Sequence, residues 1–220
     1  MFLLVTGASG AGKSTVRRLI ADDLSPAVVC VELRDVAMVP AFPTMAWRQR
    51  ATEAAVQRAL ELQREGRHLL LSGDPVAAGE VVAAPSADGL DGIAVCLLDV
   101  SRELQAVRLG ERGDDPALLG DHHAFAGWMR AQAHDPRHMP HVLTANGWDA
   151  MRWERWVDLE AADGDWGVHV VVTSRLSREQ VAAEVLRWCH RALAGQAPVL
   201  HARESGDRAA AAGRGARGSR

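Results

Sequence analysis

Five short runs of this chain are apolar at nearly every position: residues 2–6, 27–31, 68–72, 93–98 and 168–172. Unbroken apolarity over five or six residues marks a strand buried on both faces, where alternation would mark a strand wet on one side. Between the runs the spacing lengthens. Val16, Leu19, Ile20 and Leu24 recur at helical intervals with Arg17, Arg18, Asp22 and Asp23 between them. Comparable patterns span residues 47–65, 102–112, 124–133, 148–161 and 177–193. The last of these opens on Ser177-Arg178-Glu179-Gln180, a capping box with Ser177 as N-cap. Strands alternating with helices predict an α/β fold of three layers, a five-stranded parallel sheet covered on both faces. Ligands in such sheets lie beyond the carboxyl ends of the strands.

Residues 113–146 break the rhythm. Gly113-Asp114-Asp115-Pro116, Asp135-Pro136 and Met139-Pro140 enclose one helix rich in small residues, with His122, His123, His134, His138 and His141 around it. A stretch of that length between strands four and five predicts a mobile lid. The prolines keep a regular helix from aligning the imidazoles, which ranks lid or substrate contacts ahead of a metal site without making either the expected role. Trp148, Met151 and Trp156 fall roughly on one face of the 148–161 helix, as a core face or as the wall of an acceptor pocket. Residues 1–200 read as one domain. Residues 201–220 carry five arginines against Glu204 and Asp207 and lack large apolar residues after the first positions, so a disordered tail is expected there.

Composition narrows the class. The net charge of −3 and 48% hydrophobic content describe an ordinary globular protein without a nucleic-acid surface. Three cysteines inside apolar runs make no disulfide framework, and no run reaches the length of a membrane span. With no signal-like N-terminal stretch, the expected location is the cytoplasm.

One residue stands out against this background. Of the 25 lysines and arginines, a single lysine, Lys13, sits in Gly7-Ala8-Ser9-Gly10-Ala11-Gly12-Lys13-Ser14-Thr15. Arginine serves everywhere else, and here a compact ammonium is needed because a planar guanidinium is too wide for a phosphate cradle. The pattern G-x-x-x-x-G-K-[ST], between a predicted strand and a predicted helix, is the phosphate-binding P-loop. Its glycines turn backbone N–H groups inward, and the helix adds its positive end. The chain is therefore expected to bind a nucleoside triphosphate.

P-loops serve switches, motors and kinases. A GTPase switch needs an Asn-Lys-x-Asp segment, which a chain with its one lysine in the P-loop lacks. A motor ATPase wants adjacent acids after a long apolar strand, and Ser72-Gly73-Asp74 offers one acid. A small-molecule kinase needs an acid near the γ-phosphate and cations from a lid. Glu32 and Asp35, at the end of strand two, are candidates for the proton acceptor. Arg108 and Arg112, four apart on one helix face, can fold over the phosphates. Arg48 and Arg50 are either acceptor contacts or surface residues.

Together the P-loop, Glu32, Asp74 and the segment Arg108-Leu109-Gly110-Glu111-Arg112-Gly113-Asp114 resemble the small P-loop kinases, a group that includes gluconate, shikimate and adenylate kinases and the chloramphenicol phosphotransferase-like proteins. The resemblance implies ATP and Mg²⁺ as cofactors, with the Ser14 hydroxyl on the metal and Asp74 on its water shell or on the acceptor. It implies phosphoryl transfer to a hydroxyl of a small metabolite or antibiotic. Thr173-Ser174 resembles the family's adenine-binding loop. Glu32 stands where chloramphenicol phosphotransferase-like members carry Asp, which keeps Asp35 in competition for the base. An ATP- or GTP-hydrolysing regulator and a non-catalytic nucleotide-binding module are the alternative functions.

Overall fold

Every residue of Phe2–Thr6 (β1) is buried, as its unbroken apolar run requires, and the strand lies at the centre of a five-stranded sheet. The computed structural model describes residues 1–157, 159 and 166–202. Val28–Glu32 (β2), His68–Ser72 (β3), Ile93–Asp99 (β4) and Val168–Val172 (β5) complete the sheet in the order β2-β3-β1-β4-β5, with every pairing parallel. The tail beyond Ala202 lies outside the described residues.

Successive side chains of a strand point to opposite faces, so each apolar run feeds two cores. Leu3, Val5, Leu70, Ala94, Cys96 and Leu98 face the helices Lys13–Leu24 (α1) and Arg178–Leu193 (α9). Phe2, Leu4, Leu69, Leu71, Ile93, Val95 and Leu97 face the other layer. That layer is built mainly from Met45–Arg64 (α3), Ala78–Val82 (α4) and Leu119–His134 (α6), with the short Leu33–Val36 (α2), His141–Thr144 (α7) and Glu154–Val157 (α8) at its rim. Fully burying a large aliphatic or aromatic side chain contributes about 1.5–3 kcal/mol, which makes the two apolar layers the main force holding the sheet.

Caps set the helix limits. Thr44 accepts the N–H of Trp47 at 3.1 Å and starts α3 two residues ahead of its apolar pattern; Gly66, at φ 70°, lies in the turn that follows its end. At α9 the expected capping box is present: the Ser177 hydroxyl accepts from Gln180 N at 3.2 Å, and Gln180 Oε1 accepts from Ser177 N at 2.8 Å. Arg102–Arg112 (α5) begins at Ser101, whose hydroxyl accepts from Leu104 N at 3.3 Å.

Two expectations are corrected. The lid drawn over residues 113–146 is, for most of its length, part of the fold. Ala126, Trp128, Met129 and Ala133 of α6 and Leu143 of α7 are buried in the core. Arg130 also ties α6 to the end of β4 through a two-pronged ion pair with Asp99, at 2.8 and 2.6 Å. Small residues let α6 settle on the sheet, which leaves residues 113–118 as the mainly exposed corner. The helix expected over 148–161 shrinks to Glu154–Val157, with residues 158 and 160–161 outside the described residues. Its residues are claimed by the loop after α4. Arg152 N donates to Ala83 O at 2.7 Å, and Trp156 fills the space over Gly79, where a Cβ would meet the indole at 2.4 Å.

Candidate functional site

The P-loop follows from the end of β1. Gly7 leaves the strand at φ 144°, where a Cβ would stand 2.5 Å from the carbonyl oxygen of Leu98, so no larger residue fits this turn. Gly10 and Gly12 continue at φ 80° and 102°, and α1 starts at Lys13 with no side chain capping its first N–H groups. Uncapped N–H groups at the positive end of a twelve-residue helix form an anion site.

Lys13 is almost entirely buried inside this loop. Its Nζ donates to Gly7 O at 2.7 Å and Ala8 O at 2.9 Å. Burial pushes its pKa down to about 8; Arg112 pushes the same way, while the carboxylates of Asp74 and Glu32 oppose them. A cleft of about 720 Å³ opens in front of it.

Strand order gives the cleft a direction. Arg34, following β2, and Gly73-Asp74-Pro75, following β3, line one end. The P-loop, following the central β1, forms the floor. Arg108 and Arg112 come from α5, after β4, and Thr173, Arg178 and Val181 follow β5 at the other end. Thr173 is buried and donates to Asp99 O at 3.0 Å, while Ser174 Oγ accepts from Ser101 N at 2.7 Å, so this end is tied to the end of β4.

Of the three acids singled out in the sequence, Asp74 lines the cleft and Glu32 and Asp35 do not. Asp74 Oδ2 is buried and has no hydrogen-bond partner among the described residues. Glu32 is buried behind Gly73, so close that a Cβ on the glycine would meet the Glu32 side chain at 3.0–3.2 Å. Its two oxygens face guanidiniums, Arg17 at 3.5 Å and Arg34 at 3.1 Å. Asp35 is committed to the backbone: its Oδ2 accepts from Glu32 N at 2.8 Å across the start of α2.

Arg108 donates to Gly10 O at 3.0 Å and braces the P-loop from outside. Arg112 lines the cleft but grips Asp114 with both prongs, and this partner holds its pKa above the ordinary arginine value. Gln105 has a part that sequence reasoning missed. It is fully buried, and its Nε2 donates to Ser9 O at 2.8 Å. The available signal was its place three residues before Arg108 on the same helix face.

Other candidates serve the fold. Arg48 pairs with the buried Glu80 at 2.9 Å and is not among the residues that line the cleft. Arg50 is exposed, its guanidinium 5.6 Å from the Trp148 ring centroid. His122 lies 3.8 Å from Asp114, and the His123 ring contacts Arg102 O at 3.1 Å, so both belong to the α5–α6 corner. His134 and His141 are exposed. Among the described residues no group of three or more His, Cys, Asp or Glu is arranged to hold a metal, and no helix is long and apolar enough to cross a membrane.

No family model matches the chain, and no curated protein matches it in sequence. Solved structures do. An unliganded sugar kinase from Janibacter sp. HTCC2649 superposes with a TM-score of 0.52, covering 86% of this chain and 94% of that one at 16% identity. The crystal structure of APE1195 gives the same TM-score and coverage at 15% identity. This is a P-loop kinase-like fold. At such identities the likeness speaks for the architecture alone, and the chemistry has to be argued from the cleft.

Proposed function

We propose that the chain is an ATP-dependent phosphotransferase that moves the γ-phosphoryl group to a hydroxyl of a small molecule. The observation that carries this reading is that Asp74, which has a carboxylate oxygen without a hydrogen-bond partner among the described residues, lines the same cleft as the P-loop. An unpartnered acid beside the P-loop is costly for a module that only binds nucleotide, whereas a transferase needs a carboxylate where the acceptor arrives.

The residues divide the work as follows. N–H groups of the P-loop, Gly7, Ala8, Ser9, Gly10, Ala11, Gly12, Lys13, Ser14 and Thr15, hold the triphosphate. Lys13 exchanges its two carbonyl partners for phosphate oxygens. The cleft-lining Ser14 fits Mg²⁺, which leaves Asp74 for the acceptor. Mg²⁺ held there would neutralise charge on the phosphates. Arg108 keeps the loop in shape, and Arg112, released from Asp114, covers the charge that develops in transfer. Thr173 stands on the nucleobase side and Gly73-Asp74-Pro75 on the acceptor side.

In the transfer itself, the acceptor oxygen bonds to the γ-phosphorus as the bond to the β,γ-bridging oxygen breaks. ADP departs with that electron pair, and the hydroxyl proton passes to Asp74. The loose transition state asks little more of the protein than position and charge. Glu32 becomes the carboxylate that positions Arg17 and Arg34, and Asp35 becomes a cap. The kinase named among the solved neighbours agrees with this reading in architecture. The test incubates the protein with Mg²⁺-ATP and a panel of nucleosides, sugars, sugar acids and aminocyclitols, scored by mass spectrometry for a phosphorylated product. Phosphorylation of at least one compound that is lost in Lys13→Ala supports the reading; ATP hydrolysis indifferent to every acceptor defeats it.

A further inference from the structure

A loop that turns its N–H groups inward for phosphate turns its carbonyls away from it, and those carbonyls need partners of their own. In the first half of the P-loop, Gly7 O and Ala8 O receive the Lys13 ammonium at 2.7 and 2.9 Å. The next two are received from α5: Gln105 Nε2 donates to Ser9 O at 2.8 Å and Arg108 Nη1 to Gly10 O at 3.0 Å. The partners differ in what a triphosphate does to them. Phosphate oxygens draw Lys13 off its carbonyls, and Arg108 itself lines the cleft. Gln105 is not among the cleft-lining residues, so its contact with Ser9 outlasts the exchange.

Gln105 is an expensive residue for its place. It is fully buried, and its Oε1 has no hydrogen-bond partner among the described residues. A methionine or leucine would fill nearly the same volume without stranding a polar atom. The amide nitrogen faces two carbonyls, Ser9 O and, more weakly, His122 O of α6 at 3.5 Å. The reverse orientation would set oxygen against both, so the side chain serves the loop as a donor. Its aim is well supported. A Cβ on Gly10 would stand 3.5 Å from both Gln105 Cγ and a Leu109 methyl, so the loop apex rests on this face of α5. The helix is held at its start, where Ser101 N donates to Ser174 Oγ at 2.7 Å, and along its length by the buried Leu109.

Resting on the nucleotide-binding half of the reading above, we infer that Gln105 is a positioning residue of the phosphate site. From behind the P-loop it holds Ser9 in the shape that receives the β- and γ-phosphates, before and after Lys13 changes partners. It touches neither nucleotide nor acceptor, and it acts through the loop.

The experiment compares wild type with Gln105→Met and Gln105→Leu, which keep the bulk and remove the donor. Mg²⁺-ATP binding is measured by calorimetric titration, AMP binding by competition against ATP, and stability by melting without nucleotide. Each variant that folds should bind Mg²⁺-ATP about tenfold or more weakly. AMP has no β-phosphate to meet the loop apex, and its affinity should change less than about twofold. The melting temperature should stay within about 2 °C of wild type or rise, because the stranded oxygen is gone. A role in packing alone predicts the opposite pattern, a lower melting temperature with ATP and AMP affected alike. That pattern overturns the inference, and so does unchanged ATP affinity in both variants. A wild type that fails to bind Mg²⁺-ATP overturns it together with the proposed function. A wild type that binds Mg²⁺-ATP, shows the expected loss in both variants and phosphorylates no compound of the panel supports Gln105 as positioning residue and defeats the phosphotransferase reading alone.

Discussion

Replacing Lys13 by Met should destroy transfer and yet make the nucleotide-free protein more stable at neutral pH. The ammonium is buried with only two carbonyls for partners, and its pKa falls from 10.5 to about 8. At about 1.4 kcal/mol per unit, the charged form costs the folded state about 3 kcal/mol. Methionine removes that cost and leaves Gly7 O and Ala8 O without a donor, at about 1 kcal/mol each. The net is a gain of about 1 kcal/mol at pH 7. The sign then changes with pH. Between the folded value of about 8 and the unfolded 10.5, the unfolded chain binds the extra proton, so wild-type stability rises with pH through this window. By pH 9.5 wild type recovers about 2 kcal/mol, and the methionine variant should be the less stable of the two by about 1 kcal/mol. Urea unfolding of both proteins at pH 7 and 9.5 measures this directly. A stability difference that does not move between the two pH values would refute the reasoning, because it would mean the ammonium is not strained by its burial.

Asp74→Asn should lower kcat by about a hundredfold or more while ATP still binds, and Glu32→Gln should act mainly on KM for the acceptor; a larger kcat loss in Glu32→Gln would return the base to the end of β2. Glu80→Gln should destabilise the fold by about 3 kcal/mol, because it strips the partner from the half-buried Arg48 guanidinium. Urea unfolding checks it, and a loss under 1 kcal/mol would show that the pair is solvated.

The strands were legible because each is a continuous apolar run. Residues 68–72 and 168–172 are strands over those same bounds, and β4 runs one residue past its apolar stretch to Asp99. The P-loop was legible because phosphate binding leaves so little choice of residue. Other parts were hidden for physical reasons. In α6 small residues read as a mobile insertion, whereas Ala126 and Ala133 are small because the helix lies directly on the sheet. The tryptophans of 148–161 mimic helical spacing, but Arg152 N and the Arg155 guanidinium bind the carbonyls of Ala83, Ala84 and Pro85 and pull the segment out of a long helix. Gln105 reads as a solvated helix residue until α5 is seen resting on Ser9. The acids at the ends of β2 and β3 could be named but not ranked. Their order depends on Gly73, whose missing side chain lets Glu32 tuck in behind the cleft wall and leaves Asp74 at the front.

All the groups that line the cleft sit on one rim of the sheet, the rim where the strands end. The turns on the opposite rim, among them the one through Gly66 where α3 gives way to β3, contribute none of them. Nothing lies within 4 Å of the position a Cβ would take on Gly66. A reporter domain spliced into that turn would stand a full strand away, about 16 Å from the cleft rim for five residues of β3. The protein thus offers its own attachment point for a sensor of whatever the cleft takes up, one that the cleft-lining end of the molecule would not feel.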